Sequence, residues 1–116
     1  MDIKIVKNSI SRHELVKMAN EKFGDLVKAV VDVERGIMAV GGELHADEEV
    51  VLTEKEGSKR EHTWGINIYP KKSESEWIEF DSMINLKPHY NNRSRDVESS
   101  EIREKIKSIV RKLIIE

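Results

Sequence analysis

The stretch DLVKAVVDVERGIMAVGG, Asp25–Gly42, decides the fold. Its first half, Asp25–Val33, is rich in valine, a residue that suits a pleated strand better than a helix. Glu34-Arg35-Gly36 supplies the turn, and Ile37–Val40 returns. Both runs are short and apolar, which predicts two central strands of a sheet. The elements on either side are then read as what surrounds this hairpin.

Upstream, Asp2–Lys7 reads as a short strand with Ile3, Ile5 and Val6 apolar. Ser11 and Glu14 have the spacing of a capping box. Leu15, Met18, Ala19 and Phe23 follow at helical intervals, and Gly24 offers the left-handed stop. Downstream, Glu48–Glu56 admits a short helix or a strand. Val50, Val51 and Thr53 are β-branched and EGSK suits a turn, so the strand is preferred. HTWGINIYP places Trp64, Ile66 and Ile68 on one face and Gly65, Asn67 and Tyr69 on the other. WIEFDSMINLKP alternates in the same way up to Pro88. HYNNRSRDVESS has no regular period and reads as a loop. Ile102, Ile106, Ile109, Val110, Leu113 and Ile114 then form the stripe of a last helix after a Ser99 or Ser100 cap.

The expected architecture is α+β, one domain over residues 1–116. It has a mainly antiparallel sheet of about five to six strands and two helices, 12–23 and 100–115, packed on one face. At 116 residues the chain suffices for one core. Apolar residues are 38% and charged residues 36%, so the chain is globular and heavily charged. No apolar run approaches the roughly 20 residues of a membrane-spanning helix. The N-terminus lacks the apolar core of a signal peptide, and a cytoplasmic location is expected. Cysteine is absent, which removes disulfides and thiolate chemistry. Glutamine is absent too, and the abundance of Lys and Glu fits a protein from a hot habitat.

The net charge of −2 argues against wholesale nucleic-acid binding. Charge is nevertheless uneven. Glu43–Glu56 holds six acids and one lysine, whereas Lys87–Arg95 holds Lys87, His89, Arg93 and Arg95 and no acid. No phosphate-binding glycine loop, nucleophile elbow or HExxH zinc motif is present.

Three constellations remain. In GGELHADEEV, His45 and Asp47 would share one face of a strand, so imidazole and carboxylate could share a metal ion with Asp81 or Glu48. The bland alternative is a glycine turn with solvated acids. In the two polar strand faces, Asn67, Asp81 and Asn85 stand where ordinary solvent faces carry Lys, Thr and Glu. Gly65 there leaves room for the close approach of a backbone or a ligand. In the following loop, Lys87, Asn92, Arg93 and Arg95 lead into a helix start, where anions are favoured and Tyr90 could stack on a base. The alternative is a loop pinned by Asn91, Asn92 and Arg93. The resulting expectation is a small binding or regulatory domain for an anionic ligand, a nucleotide or nucleic acid. A metal-dependent hydrolase or nuclease is the first alternative. A protein-interaction module, self-associating into a homo-oligomer, is the second.

The blocks LHADEE, GSK, WGINIYP, EFDSMINLKP and NNRSR, taken together, resemble a family of short bacterial and archaeal proteins of unknown function. The resemblance runs from the first helix to the last. It implies a self-contained domain and assigns no activity, cofactor or site residue.

Overall fold

The computed structural model describes residues 2–116. The hairpin at its centre is β3 (Val27–Asp32) and β4 (Ile37–Val40), paired antiparallel with Asp32 opposite Ile37. Asp32 shapes the turn. Its Oδ1 accepts from the Glu34 and Arg35 amides at 2.9 and 3.0 Å, and Gly36 takes the left-handed φ of 69°. β4 pairs on its outer side with β1 (Lys4–Val6), and β3 pairs with β5 (Thr63–Ile68). β6 (Ile78–Glu79) completes a five-stranded antiparallel sheet in the order β1-β4-β3-β5-β6. A separate parallel pair joins β2 (Ile10–Ser11) to β7 (Ile114–Ile115).

Three helices cover this sheet: α1 (Arg12–Glu21), α2 (His45–Glu56) and α3 (Ser100–Leu113). Alternation along the strands assigns them to faces. Ala29, Val31, Met38, Val40, Trp64, Ile66 and Ile68 belong to the larger core together with Leu15 and Ala19 of α1 and Ile106, Val110 and Leu113 of α3. Val30, Ile37 and Ala39 point the other way and pack with Leu52 of α2. The expectation of two helices on one face is therefore corrected. α1 and α3 share a face, and a third helix lies on the opposite one.

That third helix overturns the strand expected over Glu48–Glu56. Its buried positions are His45, Glu48, Glu49 and Leu52, which recur at three- and four-residue intervals. The face turned inward is mostly polar, while Val50 is exposed. Hydrophobic periodicity is thus inverted along α2, and the β-branched residues mislead. Gly57 ends the helix in the left-handed conformation, φ 71°, with its N–H and that of Ser58 bonded back to Thr53 and Leu52 carbonyls.

The expected strand Trp77–Leu86 is also corrected, since only Ile78–Glu79 is strand. The chain then leaves the sheet and forms short 3-10 turns at Met83–Asn85 and Pro88–Tyr90. Asn85 supplies the missing pairing with its side chain. Its Oδ1 accepts from the Gly65 N–H at 2.8 Å and its Nδ2 donates to the Gly65 carbonyl at 3.0 Å. One carboxamide thus satisfies the groups that another strand residue would have met. None of the described helices is long and apolar enough to cross a membrane.

A cleft at the N-terminus of the second helix

Where the chain leaves β6, it opens a cleft of about 190 Å³ against the start of α2. Lys28 of β3, Asn67 of β5, residues Leu44–Ala46 and the Asp81–Ile84 segment line it, with Arg95. Gly65 makes this closeness possible. A Cβ there would lie 2.5 Å from both Cβ and Oγ of Ser82 and 3.2 Å from Cδ2 of His45.

His45 opens α2 and is buried. Its Nε2 donates to the Ile66 carbonyl at 2.8 Å, since a carbonyl oxygen only accepts. The bond fixes the tautomer and leaves Nδ1 as an acceptor. Burial lowers the pKa of the ring. Its bond to Ile66 and the Asp81 charge oppose this, and Lys28 and Arg95 add to it. His45 is therefore a neutral ring at neutral pH.

Asn67 is buried, and its Nδ2 donates to Glu79 Oε1 at 2.9 Å. Its Oδ1 is buried without a hydrogen-bond partner. Reversing the amide would aim oxygen at a carboxylate, so the assignment is chemically required. Arg95 donates from Nε to Asp81 Oδ1 at 2.6 Å, an ion pair about half exposed on both sides. α2 begins without a side-chain cap, since its N-cap residue is Leu44. The Asp47 and Glu48 amides both bond to the Leu44 carbonyl, which leaves the His45 and Ala46 amides as the open donors of the first turn, beside the acids Asp47 and Glu48.

Of the residues singled out in the sequence, His45, Asn67, Asp81 and Arg95 converge here. Asn85 and Asn92 lie behind the cleft and face backbone. Asn85 also donates to the Arg95 carbonyl at 2.9 Å. Asn92 Nδ2 lies within 3.1 Å of the carbonyls of Asn85, Ser94 and Asp96, and its Oδ1 accepts from the Glu98 amide. Arg93 is exposed, and its backbone N–H donates to Glu98. Lys87 belongs to a second cleft, beyond the Met83–Ile84 turn. Asp47 does not line the first cleft. Two residues apart on a helix are about 200° apart in direction, so the shared face that a strand would have given His45 and Asp47 is lost. Among the described residues, no group of three or more His, Asp or Glu could hold a metal ion.

Sequence reasoning missed Lys28 and Ser82, and it named Glu48 only as a metal-ligand candidate, without its burial. Lys28 had a signal, as the lone cation inside the apolar run VKAVV. Glu48 gave none of its burial. It is fully buried, and its Oε2 accepts from the Gly42 amide at 2.8 Å. Its Oε1 has no partner. Burial pushes its pKa well up, aided by Asp47 and opposed by the Gly42 N–H and Lys28. A carboxyl that holds its proton more tightly when folded stabilises fully below its unfolded pKa. That stability is lost as pH rises through the folded value. The protein should therefore lose stability from about pH 4.5 toward neutrality through this group. Glu48→Gln should have the higher urea midpoint at pH 8, with the gap closing at pH 5. A gap independent of pH would contradict this.

No curated protein and no solved structure matches the chain. A family model described as a protein of unknown function, DUF5674, matches residues 4–113, and the chain belongs to that family.

Proposed function

We propose that the protein is a small binding domain whose cleft at the start of α2 takes a compact anionic group. Nucleoside monophosphates are the leading class. The observation that carries this reading is the meeting of the uncapped α2 N-terminus with the unpartnered Asn67 Oδ1, at a cleft lined by Lys28 and Arg95. Helix N–H groups and cations favour an anion. Asn67 Oδ1 and His45 Nδ1 ask for N–H or O–H donors on the same ligand. Asp81 offsets one of the cations, so a single phosphoryl or carboxylate group fits the charge better than a polyanion such as nucleic acid.

The test is calorimetry and thermal melting at low salt with inorganic phosphate, AMP and adenosine. Phosphate and AMP should raise the melting temperature. A ligand at 100 times its Kd stabilises by about 2.7 kcal/mol. The Lys28→Ala/Arg95→Ala variant should fold and lose the response. If phosphate and AMP act no differently from sodium chloride of equal ionic strength, the reading is wrong.

A further inference from the structure

Lys87 is the buried lysine among the described residues, at 8% exposure. Its backbone is held on both sides, donating to the Asn92 carbonyl at 2.8 Å and accepting from the Asn92 amide at 3.1 Å. The side chain starts from this fixed point. Its Nζ stands 5.3 Å from the centroid of the Trp64 ring and 3.9 Å from Glu49 Oε2. Glu49 is also buried, and its Oε2 is oriented by Thr63 Oγ1, which donates to it at 2.6 Å. The lysine and the carboxylate share the wall of a cleft of about 380 Å³ with Arg60 and Tyr90 at its margin. The Met83–Ile84 turn lines both this cleft and the anion cleft, but the two share no charged residue, so the readings are tested by different variants.

We infer that Lys87 is a carbonyl-capturing amine, forming an imine with an aldehyde or 2-oxo acid whose anionic end lies toward Arg60. The geometry supplies what the reaction needs: one amine in a low-dielectric cleft, a carboxylate within reach to carry its proton, and an aromatic face for the cationic product. Burial favours the uncharged, nucleophilic amine, Glu49 opposes this, and Arg60 adds to it. The Nζ lone pair bonds to the carbonyl carbon, and the C=O π pair moves to oxygen. Glu49 carries one proton from the nitrogen to that oxygen, which gives the neutral carbinolamine. The nitrogen lone pair then closes the C=N bond as the hydroxyl leaves, and the second N–H proton, again carried by Glu49, joins it as water. Amine and carbonyl give imine and water, with no change of oxidation state.

The experiment treats the full chain with glyoxylate, and in parallel with the uncharged propionaldehyde. It then reduces with cyanoborohydride and maps the label by peptide mass spectrometry. Lys87 should be modified before every other lysine and faster by glyoxylate than by propionaldehyde. Chain unfolded in urea should show no preference. Lys87→Arg, which keeps a cation beside Glu49, should lose the fast-labelled site and leave the slow exposed ones. Glu49→Gln should slow labelling at Lys87 by roughly 100-fold, the lower end of what a placed acid–base group contributes. Labelling spread evenly over exposed lysines, protection of Lys87, or a rate unchanged in Glu49→Gln would each overturn the inference.

Discussion

Gly65→Ala should destabilise the protein by roughly 3 kcal/mol or more, at the upper end of what overpacking costs. The added methyl has nowhere to go. Its carbon would sit 2.5 Å from Ser82 Cβ and Oγ, and Ser82 cannot retreat easily. The Ser82 N–H donates to the Arg95 carbonyl at 3.1 Å and its own carbonyl accepts from the Asn85 amide at 3.1 Å. Its side chain is buried, and Oγ accepts from the Ile84 amide. Displacing Ser82 moves the Asp81–Ile84 wall, so the phosphate response should fall together with the urea midpoint. Ser82→Gly in the same chain removes the atoms that clash. The double variant should therefore recover much of the stability lost in Gly65→Ala, a coupling that a double-mutant cycle measures. Additive losses would show that crowding against Ser82 is not the cause.

Asn85→Leu should be worse, by about 3–5 kcal/mol, because it keeps the volume and deletes every polar contact. The Gly65 N–H and the Gly65 carbonyl would each lose a partner in a buried setting, and the part-buried Arg95 carbonyl would keep only the Ser82 N–H. An unsatisfied buried group costs about 1–3 kcal/mol. Against a typical total of about 5–15 kcal/mol, the loss is more than half of the stability at the lower end of the range. Asn85→Asp separates the contributions. It keeps the acceptor for the Gly65 N–H but sets a buried carboxylate oxygen against the Gly65 and Arg95 carbonyls, so it should be well below wild type at pH 8 and recover in part at low pH, where the protonated carboxyl can donate once. Urea unfolding gives the ranking, and hydrogen exchange at the Gly65 amide reports the bond itself. Exchange as slow in Asn85→Leu as in wild type would contradict the assignment.

The central hairpin, α1 and α3 were legible in the sequence because local and tertiary signals agree there. Ser11 Oγ accepts from the Glu14 amide and Ser99 Oγ from Ile102, as the cap spacing requires. The Glu14 carboxylate, however, pairs with Lys4. α2 was not legible because its inward face is His45, Glu48 and Glu49, residues that periodicity counts as solvated. The cleft was half legible for a related reason. Asn67 and Asp81 stood out as polar residues in costly strand positions and Arg95 as a base in an acid-free loop, and all three line the cleft. Asn85 stood out as Asn67 did and Asn92 as part of the loop, yet their amides are turned to backbone. Sequence shows that a short polar side chain interrupts a strand, and only coordinates show whether it faces a cavity or the chain itself.

The Asn85 carboxamide also bears on association. A sheet edge with free N–H and C=O groups is a template on which a second molecule can add a strand. At Gly65 both groups are already occupied, and by a side chain that has no further strand to offer. Asn85 therefore acts as a cap on the sheet, stopping its growth at the point where β6 turns away. Where an open edge would invite a neighbour to continue the ladder, this stretch of β5 presents a closed end, made by the same amide that shapes the cleft.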